Sequence, residues 1–258
     1  MAQVAIVTGA SRGIGAAIAL RLAAHGMHVA LTARTLEPGA GRDGSLSDVV
    51  GEIRAAGGTA VAVGADLSVP DDRRRIVDEA TRQLGPVDVL VNNAAVTFMY
   101  PFTDFPEKRW RLMFEVQVRA PYELAQLVVP GMVERGEGWI LNISSRAGLH
   151  PEGPPFPAVH VAPWTAYGMV KAALDRFSTA LAAELSPHGV AVNALAPWDN
   201  VATPGAVAHD LVEGFALESP DLMAEAALLL CTGDPAALTG RVATSQQLLA
   251  ELRPETTR

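Results

Sequence analysis

Val4-Ala5-Ile6-Val7-Thr8-Gly9-Ala10-Ser11-Arg12-Gly13-Ile14-Gly15, followed at once by the apolar periodicity of residues 16–24, is the stretch that decides the fold. A run of four apolar residues has strand length, and the 3.6-residue repeat behind it predicts a helix. Between them, glycines at 9, 13 and 15 permit a tight turn and a close backbone approach. Free N–H groups at the start of the helix then suit an anion, so Gly9, Ser11, Arg12, Gly13, Ile14 and Gly15 are read as a pyrophosphate cradle for a dinucleotide.

The same alternation continues along the chain. Strand-length apolar runs fall at 4–7, 29–32, 60–63, 87–91, 139–143, 190–195 and 241–244, and helical patterns begin near Gly13, Leu46, Pro70, Pro106, Trp164 and Ser219. A repeated βα series of this kind predicts an α/β chain, a single Rossmann-type domain over 1–258 with a doubly wound parallel sheet of about seven strands and helices on both faces. Ligands bind such sheets at the carboxyl ends of the strands, which directs attention to loops at 95–105, 145–164 and 197–218. At 258 residues and 49% hydrophobic, the chain can bury one sizeable core. A net charge of -8 argues against nucleic acid as a partner, and Arg73-Arg74-Arg75 reads as a solvated helix face. One cysteine, Cys231, allows no intrachain disulfide, and no apolar run reaches the ~18 residues of a membrane span. The expected location is the cytoplasm, with no membrane partner. His150 and His160 lack a supporting cluster of acids or cysteines, so no metal site is expected.

Chemistry-bearing residues fall at the predicted strand ends. The second strand closes on Arg34 where an acid would serve the ribose hydroxyls of NAD; Arg34, joined by Arg12, suits a 2′-phosphate and so predicts NADP(H) over NAD(H). Asp66 and Leu67 end the third strand, Asp66 being either an adenine contact or a turn-forming residue. Asn92, Asn93 and Ala94 end the fourth, with Asn92 either tying strand ends together, over small residues left as a floor under the adenosine ribose, or forming a turn. The fifth delivers Ser144 and Ser145. On the next helix Tyr167 and Lys171 stand four residues apart, on one face, where the ammonium lowers the phenol's pKa.

Taken in order, the Gly-rich turn, Asn92-Asn93-Ala94, Ser145 and Tyr167/Lys171 resemble the short-chain dehydrogenase/reductase family from Val4 to about Thr203. The resemblance implies Tyr167 as general acid and base, Lys171 as its electrostatic partner and holder of the nicotinamide ribose, and Ser145 as hydrogen-bond donor to the substrate oxygen. It also implies cofactor contacts at Pro197, Val201 and Thr203, and a homotetramer or homodimer. Four departures stand out. Gln117 occupies the place, 28 residues ahead of Ser145, where the family pattern has a relay asparagine; Ala95 replaces a glycine; Trp198 follows Pro197 where the pattern has glycine; and Tyr167 lies 22 positions after Ser145, an interval longer than usual and rich in proline. With Phe98, Met99, Tyr100, Trp164 and Trp198 nearby, an apolar, aromatic mouth for a medium-sized ketone or secondary alcohol is expected. The readings are therefore a carbonyl reductase or alcohol dehydrogenase first, a 3-oxoacyl thioester reductase drawing on Arg109, Arg111 and Arg119 second, and a non-catalytic NADP(H) sensor or scaffold third.

Overall fold

The structure is a computed structural model and describes residues 2–39, 44–156, 163–201 and 217–253. Strands β1 (Val4–Thr8), β2 (His28–Ala33), β3 (Ala60–Gly64), β4 (Val89–Asn92), β5 (Gly138–Ile143) and β6 (Val190–Ala196) join a later short strand to form one seven-stranded sheet. Two further short strands, β7 (Asn200–Val201) and β8 (Leu217–Glu218), pair with each other, and β9 (Val242–Thr244) closes the sheet. The order is β3-β2-β1-β4-β5-β6-β9, and every pairing is parallel. The order of strand addition reverses between β1 and β4, β1 leading outward to β2 and β3 and β4 to β5 and β6, so their carboxyl ends flank the crevice where such sheets take ligands.

The helices are α1 (Gly13–Ala24), α2 (Leu46–Ala55), α3 (Pro70–Leu84), α4 (Glu107–Phe114), α5 (Ala120–Arg135), α6 (Thr165–Leu185), α7 (Pro220–Thr232) and α8 (Ser245–Leu252). Alternation along each strand feeds two cores. Ala5 and Val7 of β1 pack with Ile18 and Leu22 of α1 and with Ala227 of α7, whereas Ile6, on the opposite face, packs with Ile76 of α3 and Leu124 of α5. Such two-sided burial explains why the strands read as continuous apolar runs.

Helix starts follow local chemistry. Ser45 and Asp48 form a reciprocal capping box on α2, and the Ser219 hydroxyl accepts from Asp221 N (3.2 Å) at the start of α7. Between α4 and α5 the backbone widens into a π turn, Glu115–Arg119. Pro121 offers no N–H to the carbonyl four residues back, that of Gln117, which gives the widening a cause.

Arg73 corrects the expectation of a solvated arginine face. Arg74 and Arg75 are exposed, but Arg73 is fully buried; its Nε donates to Leu67 O (2.7 Å), and its guanidinium pairs with Glu115 and Glu123. It thereby ties α3 to the π turn and α5, a role invisible in a run of three like charges. Arg73→Ala leaves two carboxylates without their cation as well as a void, and is expected to lower unfolding free energy by about 3 kcal/mol in urea titrations, whereas Arg74→Ala changes it by less than about 0.5 kcal/mol.

Candidate active site

The cradle is fixed by Thr8 and Asn93, across the β1–β4 gap. Thr8 Oγ1 accepts from Asn93 N (3.0 Å) and Ala94 N (3.1 Å), while Asn93 Nδ2 donates to Thr8 O (2.9 Å) and Gly9 O (3.2 Å). Gly9 has φ +67°, and a Cβ on Gly15 would lie 2.4 Å from both Asn93 Nδ2 and Gly9 O, so neither position accepts a side chain. Thr8 belongs to the quoted motif, yet its clamping role shows only in three dimensions. Unlike α2, α1 has no side-chain hydrogen bond at its N-cap, Arg12, and no acid in its first turn. Its first amides therefore suit the pyrophosphate of a dinucleotide, with Ser11, Arg12, Gly13 and Ile14 around them. Arg34 is exposed just past β2, on the same edge.

Past β3, Asp66 Oδ1 accepts from Ser68 N (2.9 Å) and Ser68 Oγ (2.7 Å), the turn-forming alternative, and Leu67 is buried. Asn92 does tie strand ends: its Nδ2 donates to Asn142 Oδ1 (2.9 Å), Asn142 Nδ2 to Ser178 Oγ (2.8 Å), and Ser178 Oγ to Leu174 O (2.8 Å). That chain of hydrogen bonds anchors α6 under the carboxyl ends of β4 and β5.

Ser145, Tyr167 and Lys171 come together there. The Ser145 side chain is a polar neighbour of the Tyr167 phenol, and its Oγ accepts from Ala147 N (3.2 Å). Lys171, 3% exposed, donates from Nζ to Ile143 O (2.8 Å) and lies 5.6 Å from the centre of the Tyr167 ring; Trp164 covers that ring at 5.9 Å. Close approach needs two glycines that sequence reading passed over. A Cβ on Gly168 would meet Ala147 O at 2.6 Å, and one on Gly148 would meet Asp175 Oδ2 at 2.9 Å. A glycine inside an otherwise helical pattern, directly after Tyr167, was the available signal.

The electrostatics differ from the expectation that Lys171 lowers the phenol's pKa. Burial pushes Tyr167 above its ordinary value, and the Ser145 side chain offsets part of that rise. Burial also brings Lys171 down to about 8, opposed by the carboxylate of Asp175 one turn further along α6. Desolvation is the largest cause of both shifts. Asp175 is itself raised by burial, and its Oδ1 and the neighbouring Ser144 Oγ stay buried without a well-formed hydrogen bond.

Gln117 sits in the π turn, 1% exposed; its Nε2 donates to Val96 O (2.8 Å) and its Oε1 is buried without a partner among the described residues. Its side chain thus braces the loop after β4. Ala95 is exposed, with room for its methyl. Pro197 is half-buried and Val201 lies buried in β7, whereas Thr203, His160 and much of the loops at 145–164 and 197–218 lie outside the described residues. The expected apolar mouth is also more cationic than its composition suggests: Arg109 covers Phe98 (4.4 Å) and Arg146 covers Trp198 (4.8 Å), while Tyr100 packs on Phe105 (5.5 Å). Among the described residues no group of His, Cys, Asp and Glu is arranged to hold a metal. Cys231 is buried and its thiol is pushed up to about 12.

A parallel sheet with an anion cradle after β1 and a neighbouring serine and tyrosine beside a buried lysine defines a nucleotide-binding α/β oxidoreductase. The family profile described as short chain dehydrogenase matches residues 3–209. A short chain dehydrogenase of Pseudocercospora fijiensis is 40% identical over 197 residues, covering 76% of this chain and 59% of that longer protein. An acetoacetyl-CoA reductase of Allochromatium vinosum is 32% identical over 93% of this chain and 95% of its own. The structure of a metagenomic short-chain oxidoreductase in complex with NADP superposes with a TM-score of 0.76 at 34% identity, covering 93% of this chain and 96% of that one. The chain belongs to the short-chain dehydrogenase/reductase family, oxidoreductases acting on CH–OH or carbonyl groups.

Lys171 gives a signed pH prediction. Its folded pKa, about 8, lies below the ordinary 10.5, so between those values the unfolded chain holds a proton the native chain has released. Stability of the cofactor-free protein, measured by urea titration against Lys171→Met, should rise by ~3 kcal/mol from pH 8 to pH 10.5.

Proposed function

We propose that the protein is an NADP(H)-dependent carbonyl reductase or alcohol dehydrogenase for a medium-sized, largely apolar ketone or secondary alcohol. The observation that carries this reading is the grouping of Ser145 and Tyr167 beside the buried Lys171 ammonium, on the sheet edge that also holds the Thr8–Asn93 cradle. When bound, the nicotinamide supplies the hydride. Tyr167 hands its proton to the carbonyl oxygen during reduction and takes it back during oxidation; a phenol raised by burial is kept protonated, as a donor must be. Ser145 donates to the same oxygen and holds it against Tyr167. Lys171, anchored to Ile143 O, stabilises the phenolate left by proton transfer and would hold the nicotinamide ribose when the cofactor is bound. Gln117 positions the loop after β4, and Gly9, Ser11, Arg12, Gly13, Ile14, Gly15, Asp66, Leu67, Asn93, Ala94, Pro197 and Val201 are the residues expected to contact the cofactor, with Thr203, outside the described residues, expected to join them from the family resemblance.

For the cofactor's 2′-phosphate, Arg34 with Arg12 provides the charge complement, and NADP in the related metagenomic structure agrees with that choice. A thioester reductase is the second reading, favoured by the acetoacetyl-CoA reductase relative. Against it, Arg111 and Arg119 are ion-paired with Glu107 and Glu123, which neutralises most of the basic face such a carrier would dock on. A cytoplasmic homotetramer or homodimer is the accompanying expectation, and among the described residues no helix is long and apolar enough to cross a membrane.

Steady-state kinetics of NADPH oxidation over a panel of ketones, aldehydes and acyl thioesters test the assignment. Tyr167→Phe is expected to cut kcat by ~10² or more while the NADPH Kd stays within about twofold. Near-wild-type turnover in that variant overturns the role of Tyr167. Arg34→Ala should weaken NADPH at least ~10-fold and leave NADH unchanged in fluorescence titrations; equal losses for both, or none, refute the phosphate contact.

A further inference from the structure

Trp198 is held at both ends of its backbone and its ring is covered by one cation. Its backbone N–H donates to Glu218 Oε2 (3.0 Å) and to Ser245 Oγ (3.2 Å), and its carbonyl accepts from Arg146 Nη1 (2.8 Å). The same Arg146 guanidinium lies 4.8 Å from the centre of its ring. Glu218 is 3% exposed; Oε2 also accepts from Asp199 N and Gln246 Nε2 (both 3.4 Å), and Oε1 is buried with no partner among the described residues. A buried carboxylate is costly to keep, and this one is directed at the backbone of a single turn. Placement follows from the sheet. β6 is bonded to β5 up to Ile143 and Leu195, and Ser144 N reaches Leu195 O (2.8 Å), so Trp198 leaves the edge beside Ser145. The aromatic residues Phe98 and Tyr100 leave from β4, on the other side of β5.

We propose that Trp198 is a specificity-determining residue that walls the β6 side of the cleft and confines the substrate carbonyl to one small substituent on that side, the larger one lying toward the loop after β4. Glu218 is its positioning residue. This rests on the reductase reading above and deepens it: the preferred substrates are ketones of unequal arms, such as methyl ketones. A rigid wall discriminates strongly because each added methylene must displace a side chain that backbone hydrogen bonds hold in place.

The experiment is the series acetophenone, propiophenone and butyrophenone with NADPH, with kcat/KM and the enantiomeric ratio of the alcohol read for the full-length wild type, Trp198→Phe, Trp198→Ala and Glu218→Ala. Ratios within one variant cancel any difference in its folded fraction. In the wild type kcat/KM should fall at least ~10-fold from methyl to propyl. The fall should shrink in Trp198→Phe and drop below about threefold in Trp198→Ala, with eroded enantiomeric excess. Glu218→Ala, which keeps the indole but frees its backbone, should flatten the series as well. Parallel slopes in wild type and Trp198→Ala overturn the wall, and parallel slopes in wild type and Glu218→Ala overturn the positioning role. A wild type that turns over no ketone overturns the reductase reading and the wall with it, an outcome distinct from activity with unchanged slopes.

Discussion

A single ammonium, that of Lys171, sits out of water against the carbonyl of Ile143, and the arrangement around it follows from that contact. An amine in such a place pays for its desolvation with a lowered pKa, about 8, and keeps its charge only with help from a polar neighbour and the Asp175 carboxylate. The contact also fixes α6 along the end of β5, which is what carries Tyr167 to Ser145. Close packing there in turn demands Gly148 and Gly168 at the crossing. Beneath it, the hydrogen-bonded series Asn92, Asn142 and Ser178 holds two strand ends and the helix in one register.

A second constraint, the clamp of Asn93 on Thr8 and Gly9, does for the nucleotide end what Lys171 does for the chemical end. Both clamps lie on the carboxyl edge because every strand pairing in the sheet is parallel. Sheet topology thus brings together residues that the chain separates by more than a hundred positions.

Much of this was legible because its causes are local. Seven apolar runs and six helix starts follow from periodicity, turn glycines and caps such as Ser45 and Ser219, and they lie within two residues of the observed elements. Arg73 was misread because a charge run carries no record of which member faces inward; its burial depends on Glu115 and Glu123, more than forty positions away. The phenol's raised pKa was likewise hidden, since helical spacing gives the distance to a lysine but not the desolvation of both groups. Gln117 looked like a lengthened asparagine, and in the fold its amide braces Val96 from inside a π turn whose cause, Pro121, was in plain view. Trp198 and Glu218 could not have been paired from sequence, because a carboxylate that binds backbone N–H groups leaves no complementary residue type to notice.

The account's central claim is that this edge carries out hydride and proton transfer on a carbonyl. The most direct measurement is turnover of NADPH deuterated at both C4 positions with acetophenone, followed by mass spectrometry and proton NMR of the alcohol. The account predicts one deuterium per product molecule, on the carbinol carbon, with the hydroxyl proton drawn from solvent. Tight NADPH binding with an alcohol bearing no deuterium, or with no alcohol formed from any ketone or aldehyde supplied, would contradict it.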